Sequence, residues 1–113
     1  MKKGILINVK DETITEVQVG DFRNIQKLVD CDLFEIVGLG GNQDLYVDEE
    51  GLLFLNGQSK FFSIEGYPQP LCGNGLVLGS NKNGESVNTK FTVEEIKSKV
   101  KYHTLSEVQV MEF

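Results

Sequence analysis

The chain of 113 residues contains few of the residues from which catalytic and metal sites are usually built. It has one histidine, His103, two cysteines, Cys31 and Cys72, and no tryptophan. Two cysteines so far apart provide neither the closely spaced pairs of a zinc site nor a disulfide framework. We therefore expect reduced thiols, as in a cytoplasmic protein, and no metal or cofactor.

The lone histidine does not indicate an enzyme. His103 follows a predicted helix that ends in lysines, and no serine or cysteine can be paired with it from sequence spacing. A solvated histidine near the end of a helix is the expected interpretation. We therefore predict a protein without enzymatic activity.

Long apolar segments are also absent. The apolar stretch at residues 4–9 follows two lysines, but it is too short for the core of a signal peptide or for a membrane span. We expect a cytoplasmic protein that does not enter a membrane. Only two prolines occur, and Pro68 and Pro70 exclude a helix from the segment around them.

Positive charge is scarce, since 17 acidic residues face 11 basic ones and the formal net charge is −6. This balance argues against direct nucleic-acid binding, which depends on clustered lysine and arginine. The densest acidic group comprises Asp44, Asp48, Glu49 and Glu50, and its spacing does not match a calcium-binding loop. It predicts a solvated hairpin tip or a protein-interaction surface. A further alternative is an acidic mimic of nucleic acid that occupies a basic groove of a partner.

What is present is the composition of a globular domain, with 40% hydrophobic and 25% charged residues. Alternating apolar positions, short apolar runs and turn signals predict short strands near residues 5–9, 14–19, 32–37, 45–47, 52–55, 76–78, 85–87 and 105–113. We predict a single α+β domain over residues 1–113, with a mostly antiparallel sheet of about six to eight short strands packed with two helices. Residues 101–113 are the less regular part, expected to be a C-terminal extension or strand.

Two helices carry clear start signals. Asp21 is placed to cap a helix whose buried stripe comprises Phe22, Ile25, Leu28 and Val29. Thr92 and Glu95 form the pattern of a capping box, and the stripe that follows comprises Val93, Ile96 and Val100.

A glycine-rich segment, GNGLVLG at residues 73–79, could be a phosphate cradle or a strand between turns. The dinucleotide fingerprint fails, because the third glycine comes one place late and a turn follows instead of a helix. We predict a central strand at residues 76–78 and a hairpin closed by Asn83-Gly84. The alternative is a small-ligand site for a nucleotide-like anion, formed by Gly73, Asn74, Gly75, Asn81 and Asn83.

Four aromatic residues near the middle of the chain are expected in the core, namely Phe54, Phe61, Phe62 and Tyr67. If these aromatic side chains are exposed instead, they would form a patch that binds a partner protein or a second copy in a homo-oligomer.

Residues 44–56 (DLYVDEEGLLFLN), followed by LCGNGLVLG and GESVNTKFTVEEI, resemble a small domain of bacteriophage and plasmid genomes, the domain of unknown function 3846. The resemblance covers about residues 1–100. It implies an accessory protein of the host cytoplasm that binds and inhibits a host protein, such as one of a defence system. Sequestration of a nucleotide-like signalling molecule is the alternative that it leaves open.

Overall fold

The computed structural model describes residues 1–53 and 55–111. Within these residues nine strands and three helices form, so the α+β prediction is confirmed with slightly more elements than expected. In chain order the elements are β1 (Lys2–Asn8), β2 (Thr13–Val19), α1 (Phe22–Val29), β3 (Phe34–Gly40), β4 (Gln43–Asp48), β5 (Lys60–Ile64), β6 (Tyr67–Cys72), β7 (Gly75–Ser80), β8 (Ser86–Val87), α2 (Val93–Lys99), β9 (Val100–Thr104) and α3 (Leu105–Gln109).

The larger sheet has β7 in its interior, as predicted. Its order is β2-β1-β7-β4-β3, with β8 also paired to β7, and the pairings are antiparallel. The adjacent side chains of Leu76, Val77 and Leu78 are all 0% exposed. Successive side chains of a strand point to opposite faces, so both faces of the sheet are covered at this strand.

One face of the larger sheet is covered by α1. Asp21 caps this helix by accepting a hydrogen bond from the Asn24 backbone N–H at 3.1 Å, as predicted. Ile25 and Val29 are buried against the sheet. The cluster beneath them also contains Val19, Tyr46, Leu76 and Leu78.

The opposite face of the larger sheet packs on a second sheet with the order β6-β5-β9. Phe62 and Ile64 of β5 join the main core, as does Ile96 of α2. Both prolines lie in β6, which among the described strands pairs with β5 alone. A strand with one free side tolerates proline because the missing N–H need not serve the ladder.

The hairpin predicted between residues 45–47 and 52–55 is wrong. Strand β4 pairs with β3 on one side and β7 on the other, so it has no free side for a third strand. The β3–β4 connection is formed by Gly40, Gly41 and Asn42, all with positive φ. Residues 49–53 form turns, and Leu52 and Leu53 are 68% and 66% exposed. Phe54 lies outside the described residues.

The strand predicted at residues 105–113 is also wrong where the structure describes it. The strand lies earlier, at Val100–Thr104, and pairs with β5, while Leu105–Gln109 form α3. Thr104 and Glu107 make a second capping box, in which Glu107 Oε1 accepts the Thr104 backbone N–H at 2.9 Å. This local hydrogen bonding stabilises a helix, although the alternating apolar residues are typical of a strand. Residues 112 and 113 lie outside the described part.

The remaining turn and cap predictions are confirmed. Thr92 and Glu95 form the capping box of α2, with distances of 3.0 Å and 3.1 Å. Gly84 adopts a φ of 80° in the turn that leads from β7 to β8. Among the described residues, each helix is too short or too polar to cross a membrane.

Candidate functional site

The four acidic residues singled out in the sequence do not form one cluster. Asp44 lies near the start of β4 and Asp48 at its end, so about 13 Å of extended strand separates them. Asp48 is followed by a turn, in which its Oδ1 accepts the Glu50 backbone N–H at 2.9 Å. Glu49 donates its backbone N–H to the Leu33 carbonyl at 3.0 Å. The group therefore reduces to Asp48, Glu49 and Glu50, held beside the start of β3.

The turn after β4 meets the C-terminal end of α1 at an open cleft of about 480 Å³. The acidic side chains that line this cleft are Asp30, Asp32, Asp48 and Glu50, and Cys31, Gln26 and Lys27 complete it. The sequence did not lead us to predict that Asp30 and Asp32 belong to this acidic group. The available signal was their position at the end of the predicted helix, where Asp30 adopts the left-handed C-cap conformation with a φ of 61°.

The cleft does not activate its thiol. Burial raises the pKa of Cys31 to about 11, and the carboxylates of Asp48, Asp30, Asp32 and Glu50 contribute in the same direction. A thiolate is the nucleophilic form, so Cys31 is almost entirely unreactive thiol near neutral pH. Within the described residues, no group of three or more acidic, histidine or cysteine side chains is arranged to hold a metal ion.

The negative charge of the protein is concentrated around β3 and β4. Residues 28–59, which we call the acidic segment, contain seven carboxylates and no lysine or arginine, a formal charge of −7. Since the whole chain carries −6, the remaining residues sum to +1. The acidic segment therefore forms a negative region on a protein that is otherwise nearly neutral.

Apolar side chains are exposed beside the same segment. Phe22 is 57% exposed although it was predicted to belong to the buried stripe of α1, so that prediction is wrong for this residue. Its ring lies 4.9 Å from that of Phe34 on β3, and the Phe34 ring lies 5.4 Å from that of the buried Tyr46. Ile36, two residues after Phe34 and therefore on the same face, is 52% exposed. We call Phe22, Phe34 and Ile36 the β3 surface.

Phe22 is exposed because it occupies the first position of α1. The buried side chains of this short helix are Ile25 and Val29, one and two turns further on, whereas the Phe22 ring reaches past the end of the helix to Phe34. The core prediction is confirmed for Phe61 and Phe62, which are 1% and 0% exposed. Tyr67 is half-buried.

The alternative ligand residues lie in two places. Gly73, Asn74 and Gly75 precede or begin β7, and Asn81 and Asn83 follow its other end, about 17 Å or more away. The structure does not bring these two groups together into one site.

Side chains of both groups are engaged within the protein. Asn74 accepts the Val9 backbone N–H at 3.1 Å through Oδ1 and donates through Nδ2 to the Leu28 carbonyl at 3.4 Å. Asn81 accepts the backbone N–H groups of Asn83 and Glu85, each at 3.0 Å. The Asn74 contacts tie the segment before β7 to residues at the ends of β1 and α1, and the Asn81 contacts fix the turn after β7.

Gly75 has a packing role. A Cβ at this position would lie 2.6 Å from Cζ of Phe62, which is fully buried between the two sheets. The glycine allows the ring to approach the backbone of β7. This geometry supports the prediction of a strand over that of a phosphate cradle.

His103 lies in strand β9. The prediction that it lies near the end of a helix is therefore wrong. Its Nε2 lies 2.8 Å from Oγ of Ser63 on the neighbouring strand β5, a pairing that spacing along the chain could not show. Among the described residues, no carboxylate is hydrogen-bonded to the imidazole to orient it as in a hydrolase triad. The contact links β5 to β9.

A family model with the description "Domain of unknown function (DUF3846)" matches residues 1–101. The match agrees with the resemblance noted in the sequence. It includes β1 to α2 and ends at the second residue of β9, before α3. No curated protein and no solved structure matches the chain.

Proposed function

The chain belongs to the family of the domain of unknown function DUF3846, and we propose that this member is a non-enzymatic accessory protein that binds and inhibits a protein of a bacterial host. A phage or plasmid origin and a target in host defence are parts of this proposal. It is supported by one juxtaposition, in which the exposed apolar side chains of the β3 surface lie within the acidic segment (Ile36) or beside it (Phe22).

This juxtaposition has the composition of a protein-binding surface. Phe22 and Ile36 expose more than half of their side chains, and Phe34 connects Phe22 to the core through Tyr46. Protein interfaces typically combine an apolar centre, in which aromatic residues are enriched, with a polar rim. The carboxylates of the acidic segment supply such a rim, and they favour a basic partner.

Concentrated carboxylates also support a second candidate, in which the acidic segment imitates a nucleic-acid backbone within a basic groove of the partner. The two candidates differ in whether binding to the partner depends on the side chain of Ile36. Electrostatic mimicry would depend on salt and on the carboxylates, and it would compete with nucleic acid for the partner. A protein interface centred on the β3 surface would additionally require the apolar side chain of Ile36.

The proposal is tested by capture from a bacterial host lysate on the immobilised protein, followed by an activity assay of the captured protein. We expect a stoichiometric partner whose activity falls when the purified chain is added. Ile36→Thr, which keeps a β-branched side chain, is expected to reduce capture by at least about tenfold, the effect of losing one central apolar contact. Val110→Thr is the matched control, because Val110 is 82% exposed and lies at the end of α3.

The outcomes are separable. Absence of any stoichiometric partner would reject the proposed function. A partner that Ile36→Thr captures as well as the unchanged protein does would leave the function standing and place the interface elsewhere. Displacement of the partner by DNA or RNA, with no effect of Ile36→Thr, would favour nucleic-acid mimicry.

A further inference from the structure

In the part of the chain that the structure describes, strand β3 is at one side of the larger sheet and is paired by β4 alone. Among the described residues, no hydrogen bond outside that ladder involves residues 34–40. The carbonyl of Leu39 lies close to Gly66, where an added Cβ would be 3.0 Å from the oxygen. The register also shifts between Gly38 and Gly40. The regular and accessible part of the strand is therefore residues 34–38.

This accessible part lacks three common protections of an edge strand. Natural proteins commonly place lysine, proline or a bulge on such strands, because unpaired backbone groups attract further strands. Residues 34–38 (FEIVG) contain neither lysine nor proline, and the bulge lies beyond them. Backbone N–H and C=O groups alternate in direction along a strand, so about half of those in this part point away from β4.

The two faces of β3 differ in chemistry at this position. Phe34 and Ile36 are on the face that also carries Tyr46, where the surface is apolar. Glu35 projects to the opposite face and is exposed. An added strand with a period of two would therefore place apolar side chains beside Ile36 and cationic side chains beside Glu35.

We propose that residues 34–38 bind, by strand addition, an extended segment of the partner protein in which lysine or arginine alternates with apolar residues. The inference rests on the proposed function and names the partner chemistry and the binding mode. A second copy of this chain is a poorer occupant, because β3–β3 pairing would bring together two acidic segments of charge −7 each.

A capped synthetic heptapeptide that alternates lysine with valine is the probe, with binding measured by NMR on the full chain. We expect a Kd on the order of 100 µM, as befits a contact much smaller than a standard interface. The amide signals of residues 34–38 should shift and gain protection from hydrogen exchange. Affinity should fall severalfold between about 50 mM and about 300 mM salt, because surface charges are screened.

Three comparisons make the test specific. A glutamate–valine peptide should not bind measurably, and neither should the lysine–valine peptide with all its amide nitrogens methylated, since it cannot form a ladder. Glu35→Lys should weaken binding about fivefold, a typical effect of reversing one cross-strand charge. Glu16→Lys is the matched control, because Glu16 is an exposed acid on β2 at the other side of the same sheet, and it should change affinity by less than about twofold.

Equal binding of the methylated or the glutamate peptide would overturn the inference, as would signal shifts confined to β2 or to the Cys31 cleft. Dimerisation of the free protein through residues 34–38, detected by analytical ultracentrifugation and exchange protection, would identify a second copy as the occupant and equally reject it. If the peptide fails but host capture through Ile36 succeeds, only the binding mode is rejected and the proposed function stands.

Discussion

Replacing Gly75 with alanine should destabilise the protein by forcing apart its two sheets. Gly75 begins β7, and a Cβ built there lies 2.6 Å from Cζ of Phe62 and 3.0 Å from Cδ1 of Leu45. Ordinary van der Waals contact begins at 3.4 Å, so the Phe62 ring would have to move by about 0.8 Å. Phe62 is 0% exposed, which leaves it no solvent-filled space to enter.

The magnitude follows from what overpacking costs in a close-packed core, typically ~1–3 kcal/mol. We expect the free energy of unfolding to fall by about 2 kcal/mol. For a domain of this size each 1 kcal/mol lowers the melting temperature by roughly 4–6 °C, so the melting temperature should drop by about 10 °C. The comparison is Gly38→Ala on β3, where no atom of residues 1–53 or 55–111 lies within 4 Å of the added Cβ. That variant should unfold within about 1 kcal/mol of the unchanged protein.

Urea and thermal unfolding followed by circular dichroism measure both variants. A double variant, Gly75→Ala with Phe62→Leu, isolates the clash, because the smaller side chain vacates the space that the new methyl group needs. Its destabilisation should be less than the sum of the two single effects by at least about 1 kcal/mol. An unchanged midpoint for Gly75→Ala, or strict additivity in the double variant, would refute the packing argument.

Four further predictions concern buried or shifted groups. Thr89→Val should lower the free energy of unfolding, measured in urea, by about 2 kcal/mol. The Thr89 hydroxyl donates to Gln43 Oε1 at 2.6 Å and accepts a backbone N–H, and the valine would leave that N–H without a partner. Thr89→Ser keeps the hydroxyl and should retain most of the lost stability. Tyr102→Phe should be neutral or stabilise by up to about 1 kcal/mol, since its buried hydroxyl has no hydrogen-bond partner among the described residues, and a larger loss would contradict this. In a Cys72→Ser background, iodoacetamide at pH 8 should modify Cys31 at least about tenfold more slowly in the folded than in the urea-unfolded chain. Because folding raises the pKa of Cys31 from 9.0 to about 11, its contribution to stability should be intact below pH 9 and lost as pH rises through 11; a flat stability between those values would contradict the shift.

The helix starts could be predicted because their signals are local. Asp21 and the Thr92–Glu95 capping box satisfy backbone donors within one turn, whatever the rest of the chain does. The pairing of strands is not local. Residues 52–55 have the composition of a strand, but the two sides of β4 are occupied by β3 and β7. The Gly40-Gly41-Asn42 turn was the local signal that could have identified β3 as the partner of β4.

The sign of the charge at the candidate site could be predicted from the sequence, but the arrangement of its residues could not. The sequence identified the acidic group at Asp48, Glu49 and Glu50. The meeting of Asp30 and Asp32 with Asp48, however, depends on the end of β4 lying beside the start of β3, where Glu49 bonds to Leu33. Exposure of Ile36 likewise depends on β3 being the last strand of the sheet and on a helix that ends before covering it. Neither condition is encoded in the residues next to these positions.

A carboxylate on an edge strand has two possible roles, which make opposite predictions for one substitution. Glu35 could serve only to prevent other strands from adding to β3, as charged residues on exposed strands commonly do. Lysine serves that purpose at least as well, so under this account Glu35→Lys would stay monomeric and lose nothing else. Under the proposed function the sign of the charge matters, because the partner is basic and the acidic segment attracts it. Glu35→Lys would then remain monomeric and yet bind the lysine–valine peptide and the host partner more weakly, while Glu16→Lys, with the same change in net charge, would not.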